Sequence, residues 1–338
     1  MKKSKTFFAY AMLAALASCS NDHVLSQQSP TPSDPDVINI VAASSKPATR
    51  ATQDAGKLQD TQFAENEKIN VYLSEHTTNG NSVITYEQPL VYTVSNSPAT
   101  SGGIVLDPPS GVTPKFPSND NGVDAYALYP QSVKETENAT FTVPTDQTND
   151  AGYRSADMMF GTNKLRSDGS EITPFTGTPK GNNVELYFKH QLSKIIVMMD
   201  KNSFDNGTLN NAEIHLLGAK NGSSYTAGAS GITLQAPTTA LSDGECYNLG
   251  KYDENGNAGI IIPQTIAKET KFIEIVLSDN TTKYVYKIDD ATGVQFEGGK
   301  KYTYTIKLSG GNLVVVSVKI KDWEDVQKTG TADLETSN

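Results

Sequence analysis

Along most of the chain apolar and polar residues alternate one for one, the period of a β-strand with one face in a core. Ile69, Val71 and Leu73 alternate with Lys68, Asn70 and Tyr72. Val184, Leu186 and Phe188 share one parity, as do Tyr302, Tyr304 and Ile306 against Thr303, Thr305 and Lys307. Tyr126, Leu128 and Val143 mark further strands between turns. The unbroken apolar run from Ile195 to Met199 predicts a strand buried on both faces. Residues 272–277 and 283–288 flank Asp279-Asn280-Thr281-Thr282, which predicts a hairpin. Gly310-Gly311-Asn312 predicts another turn, after which Val314, Val316, Val318 and Ile320 fall on one face and lead to Trp323. Residues 37–41 offer one more short strand within a polar stretch. No window carries a capped i, i+3, i+4, i+7 stripe, so no amphipathic helix is predicted.

The pattern therefore predicts an all-β protein. A single β-sandwich takes about 100 residues, and this chain has 338, so two tandem sandwiches are expected. The Gly-, Thr- and Pro-rich stretch 173–181 places the boundary near Gly181, giving sandwiches over residues 51–181 and 182–338.

The N-terminus breaks the pattern. Lys2, Lys3 and Lys5 precede an apolar stretch of about ten residues, too short to span a bilayer as a helix. It ends in Leu16-Ala17-Ser18-Cys19, similar to the lipobox of bacterial lipoproteins. Residues 1–18 are thus expected to be a lipoprotein signal peptide. The Cys19 thiol would accept the lipid that holds the chain on the outer membrane at the cell surface. Residues 19–50 have linker composition, with Ser29-Pro30-Thr31-Pro32-Ser33-Asp34-Pro35 at their centre. Arg50 is the only Arg before Arg154 and lies among Ala and Thr residues that a protease enters easily. With Cys19 lipidated, Cys246 has no intramolecular disulfide partner and is expected to be a small buried residue in a strand.

Composition and motifs argue against several functions. A net charge of −10 repels nucleic acid and anionic lipid surfaces. The sequence has no Gly-x-Ser-x-Gly elbow, phosphate-binding loop or His-Glu-x-x-His pair. His23 lies in the linker, and of His76, His190 and His215 no two sit at metal-ligand spacing and none is near a Cys. Asp253-Glu254-Asn255-Gly256-Asn257 faintly resembles a calcium loop but lacks its closing Glu, and a solvated turn is expected there. No cofactor, no metal and no catalytic activity are expected. The 15 Tyr residues fit strands, where a ring is buried and its hydroxyl wetted. A stacking surface for sugars is the competing reading.

Several segments, taken in order, resemble the fimbrillins, the type V pilins of anaerobic Gram-negative bacteria. They are Thr49-Arg50-Ala51, Lys68-Ile69-Asn70-Val71-Tyr72, Tyr126-Ala127-Leu128-Tyr129-Pro130 and Ala156-Asp157-Met158-Met159-Phe160-Gly161. The series continues with Phe188-Lys189-His190-Gln191-Leu192-Ser193-Lys194-Ile195, Ile262-Pro263-Gln264-Thr265-Ile266, Gly299-Lys300-Lys301-Tyr302-Thr303-Tyr304 and Ile320-Lys321-Asp322-Trp323. The resemblance implies transthyretin-like sandwiches behind a cleaved leader. It also implies an Arg-specific extracellular protease cutting between Arg50 and Ala51, and loss of an N-terminal strand near residues 37–41. A strand from a neighbouring copy or related pilin would then fill the groove. The C-terminal region would supply that strand, with Val314, Val316, Val318 and Ile320 or the tail 324–338 as candidates. A stalk subunit is the first expectation. A tip or anchor subunit and a glycan-binding surface lipoprotein are the alternatives, the latter with host or bacterial surface ligands as partners.

Overall fold

The computed structural model describes residues 34–43, 63–77, 87–98, 103–119, 121–166, 168–204, 212–253 and 255–323. Cys19, Arg50, Ala51 and the tail 324–338 lie outside these residues. The first strands are β1 (Ile40–Ala42), β2 (Lys68–Glu75), β3 (Leu90–Pro98), β4 (Ile104–Asp107) and β5 (Val123–Tyr129). Next come β6 (Thr136–Thr142), β7 (Asp146–Gln147), the helix α1 (Asp150–Ala156), β8 (Met159–Thr162), β9 (Val184–His190) and β10 (Ser193–Met199). Then follow β11 (Glu213–Leu216), β12 (Gly222–Gly228), β13 (Gly231–Leu234), β14 (Tyr247–Asp253), β15 (Gly256–Ile261) and β16 (Gln264–Ile266). The last are β17 (Lys271–Val276), β18 (Lys283–Lys287), β19 (Val294–Phe296), β20 (Lys300–Ser309) and β21 (Asn312–Asp322).

Seven strands close a barrel in the order β1-β4-β3-β2-β5-β8-β9. A larger sheet runs β18-β17-β11-β14-β15-β10-β20-β21, with β7 added beside β14. Smaller sheets pair β13, β12 and β6, and β16 with β19. The barrel encloses one apolar core, which includes Ile40, Ile69, Tyr92, Leu106, Val184 and Leu186. A second core lies against the large sheet and includes Ile195, Leu216, Ile260, Phe272, Tyr302 and Tyr304. Tyr72 and Leu128 project from the outside of the barrel into this second core. That explains why β2 is buried on both faces where its alternation predicts one. Asn70, buried at 0% exposure, donates its side-chain amide to the carbonyls of Gln131 and Val133. Buried in this way, the amide still spends its hydrogens on backbone acceptors that would otherwise be orphaned.

The structure moves three further expectations. The sheets change partners after His190, not at Gly181: β9 pairs with β1 and β8 inside the barrel, and β10 begins the next sheet. The helix α1 is present although no stripe announced it. It has seven residues, too few to show a period. Asn149 caps it by accepting from the Gly152 amide at 2.9 Å, and Arg154 ties its last turn to Asp150 at 2.6 Å and to Glu67 at 3.2 Å. Cys246 is half-buried in the turn ahead of β14, not in a strand. Burial, and then the Glu274 carboxylate, raise the pKa of its thiol, which donates to Asn248 Oδ1 at 3.3 Å.

Other expectations hold. Residues 193–199 form a strand with both faces buried, apart from a half-buried Met198. Lys271–Val276 and Lys283–Lys287 make the predicted hairpin. The segment at 37–41 does become a strand, shifted to Ile40–Ala42, with Val37 bridged to Lys115.

Candidate assembly interface

Two places in the fold bear on assembly: the strand that closes the barrel, and the ribbon that ends the described chain. The first is β1. Its three residues pair antiparallel with β4 and parallel with β9, so β1 is the stave between two strands that do not otherwise meet. The flanking backbone extends the seam. Ile38 donates to the Pro114 carbonyl at 2.8 Å, Val184 to Asn39 at 2.8 Å, and Ala43 to Leu186 at 2.9 Å. Ile38, Ile40, Val41 and Ala42 are all at most 5% exposed. Gly103 permits the close approach of β4: it has φ +100°, and a Cβ there would stand 2.5 Å from the Ala42 carbonyl oxygen. Asp36, just before the seam, is held to Lys180 at 2.5 Å, and the Lys180 hydrogen bond lowers its carboxyl pKa.

The second is the β20–β21 ribbon. The two strands pair from Lys300↔Asp322 to Ser309↔Asn312, and the far edge of β21 carries no ladder among the described residues. Val314, Val316, Val318 and Ile320 are 38, 54, 44 and 60% exposed. They do not share one face as their spacing predicts. Opposite Thr305 stands Ser317, but opposite Ile306 stands Val315, so Val316 is an extra residue and the parity flips. Val318 and Ile320 oppose Tyr304 and Tyr302 and point to the core side, where the sheet edge leaves them uncovered. Val314 opposes Lys307 on the outer side.

The ribbon is pinned at its end. Trp323 is 4% exposed, its amide donates to Gly299 at 2.7 Å, and its indole stacks on His190, 3.8 Å between centroids. His190 is at the end of β9 and is hydrogen-bonded to Asp157 at 2.7 Å. Lys194, 2% exposed, holds its ammonium 5.5 Å from the Trp323 ring, 5.6 Å from Tyr153 and 5.5 Å from Tyr252. A buried cation is tolerated in such a place because ring faces offer it negative charge. The residues of this cluster stand far apart in the sequence, and no spacing within any one segment shows that they meet.

The remaining candidates are structural. Tyr302 and Tyr304 are 2% and 1% exposed, packed with Phe272 and Phe296, and offer no face to a sugar. His76 pairs with Asp124 at 2.7 Å, and His215 lies between Glu213 and Glu274 at 3.3 and 3.1 Å. Among the described residues no group of three or more His, Cys, Asp or Glu side chains is placed to hold a metal ion, and no helix is long and apolar enough to cross a membrane.

Solved structures share this architecture. A candidate cell adhesion protein from Bacteroides uniformis is 17% identical, with 85% of this chain and 97% of that one aligned and a TM-score of 0.59. One from Bacteroides ovatus is 16% identical, with 85% and 98% aligned and a TM-score of 0.60. At such identities the likeness is one of fold. No curated protein matches the sequence. The fimbrillin-like family model matches residues 49–323, from just before Arg50 to the clasped Trp323. The chain therefore belongs to the fimbrillin-like family.

Proposed function

We propose that this protein is the structural subunit of a cell-surface fimbria, exported as a lipoprotein on Cys19, cut after Arg50 and assembled by strand exchange. The observation that carries the reading is the position of β1. It is the strand that closes the barrel, and it ends eight residues before Arg50. A cut there would leave β1 attached to the leader by backbone but to the body only by non-covalent pairing. Its departure would expose the β4 and β9 edges and the apolar groove that Ile38, Ile40 and Ala42 fill. An open edge over an apolar groove is a template for an added strand. A strand donated head-to-tail from the C-terminal region of another copy propagates a filament because the contact does not close on itself. On this reading the barrel that ends with β9 is the acceptor, and the sheet that begins with β10 carries the donor region.

One observation favours an accessory role at the tip or base. The ribbon that bears Val314, Val316, Val318 and Ile320 is already laddered to β20 and anchored by Trp323, so donating it costs that ladder.

The test is limited digestion of the purified chain with an Arg-specific protease, followed by mass spectrometry, size exclusion and negative-stain electron microscopy. Release of the leader with β1 and appearance of filaments supports a self-assembling stalk subunit. Release without filaments supports the accessory role. A body that keeps β1 after complete cleavage refutes strand exchange at this groove.

A further inference from the structure

Five lysines and one aspartate lie between residues 300 and 322, a local net charge of +4 in a chain whose total is −10. All other residues together therefore carry −14. Strand register decides where the lysines point. Lys301 stands directly opposite Lys321 on β21 and directly beside Lys194 on β10. Three lysines thus lie abreast across three strands, Lys194 buried beneath its aromatic neighbours, Lys301 half-buried and Lys321 exposed. Lys319 opposite Thr303 and Lys307 opposite Val314 extend the same face. Lys300, on the other face, is the one in this stretch with a carboxylate, Asp322 at 2.5 Å. Among the described residues no ion pair is formed by Lys301, Lys307, Lys319 or Lys321. Lys319 and Lys321 are exposed, and Lys301 and Lys307 half-buried.

Like charges directly opposite one another on a sheet repel and destabilise the pairing. Among the described residues no carboxylate forms an ion pair with Lys301 or Lys321. Lys194 beside them adds to the local potential while its aromatic neighbours hold it in place. An anion laid along the ribbon would relieve the repulsion, and Thr303, Thr305 and Ser317 line the same face with hydroxyl groups. Residues two apart on a strand are roughly 6.6 Å apart and neighbouring strands about 4.8 Å. The positive charge is therefore spread along a ribbon rather than gathered round a point, which suits repeated anionic groups better than a single phosphate.

We propose that the outer face of the β20–β21 ribbon binds a linear anionic polysaccharide, whose carboxylates or sulfates contact Lys301, Lys319 and Lys321. The acidic remainder of the chain repels such a polymer at long range. At about 0.1 M salt that repulsion is screened beyond roughly 10 Å, so close to the ribbon the local lysines decide the interaction. The inference does not depend on strand exchange, since the face is complete in the single chain.

The experiment uses the purified full chain, with heparin and hyaluronan as charged probes and dextran as the neutral one, measured by calorimetry from about 50 to about 200 mM salt. The triple variant Lys301→Gln, Lys319→Gln, Lys321→Gln is compared with Lys268→Gln, Lys287→Gln, which removes two exposed lysines elsewhere. Wild type should bind at least one charged probe, with affinity falling as salt rises, and should not bind dextran. The triple variant should lose at least tenfold in affinity while the control stays within twofold. Lys321→Gln alone should raise the melting temperature by a few degrees, since it removes one member of the opposed pair. The probe should raise the melting temperature of the wild type and not of the triple variant. No binding to either charged probe at low salt, or equal binding by the triple variant, overturns the proposal. So does binding to phosphatidylglycerol vesicles without binding to the polysaccharides, which would make the ligand a lipid headgroup.

Discussion

The imidazole of His190 lies flat on the indole of Trp323, with ring centroids 3.8 Å apart and planes 3° from parallel. One residue ends a barrel strand and the other ends the C-terminal ribbon, so this stack joins β9 to β21. It is built from both sides: Asp157 fixes the imidazole, and the backbone of Gly299 fixes the amide of Trp323. The β20–β21 ribbon, with its exposed apolar edge, is thereby held at the end where the chain leaves it.

Trp323→Ala removes a buried indole and leaves a cavity over His190 and Lys194. Such substitutions cost about 3–5 kcal/mol, and urea unfolding should show a loss of that order. Trp323→Phe should lose clearly less, because a ring remains under Lys194. Trp323 is the only tryptophan, so the native emission should be blue-shifted and protected from acrylamide. A red-shifted, freely quenched native emission would contradict the clasp.

Gln147 is 1% exposed and forms a two-way bridge with Ile260: its Nε2 donates to the Ile260 carbonyl at 2.8 Å and its Oε1 accepts from the Ile260 amide at 2.7 Å. It fastens the short strand β7 against β15. Gln147→Leu keeps the bulk but strands both backbone groups, at about 1–3 kcal/mol each. The expected result is a destabilisation of at least about 2 kcal/mol in denaturant titration. A change within error would show that water replaces the bridge.

Asp279 in the β17–β18 turn accepts from the Thr282 hydroxyl at 2.6 Å and from the amides of Thr282 and Thr281 at 2.8 and 2.9 Å. The Thr282 hydroxyl first, and then these amides, pull its pKa from 3.8 down to about 2. The folded value lies below the unfolded one, so its contribution is full above the unfolded pKa. It is lost as pH falls through the folded value. Stability should therefore decline between about pH 4 and pH 2, and Asp279→Asn should flatten that part of the profile. An unchanged profile would place the acid-sensitive group elsewhere.

Processing yields a genetic prediction. Cys19→Ala should abolish incorporation of labelled palmitate, and Arg50→Ala should leave a lipidated, unassembled precursor on the cells. Filaments of the Arg50→Ala variant under electron microscopy would show that assembly does not need this cut.

Strand content was legible because a two-residue period and turn residues are local signals. The β20–β21 turn at Gly310-Gly311 and the Asp279 hairpin fall where the residues place them. Three things were not legible, each for a physical reason. Partner choice is long-range, so nothing in residues 184–190 says that they pair with β1 rather than open a new sheet. A bulge leaves no mark in apolar spacing, so Val314, Val316, Val318 and Ile320 looked like one face. A seven-residue helix such as α1 is shorter than the period that would reveal it.

By itself the sequence determined the all-β class, most strand positions and the order of segments that marks the family. Those depend on side-chain chemistry and near neighbours, which a linear chain displays. Only the tertiary structure decided that β1 closes the barrel, that Trp323 docks on His190 beside Lys194, and that Lys301 and Lys321 face each other across the ribbon. Those are distances between residues remote in sequence, set by sheet register and core packing.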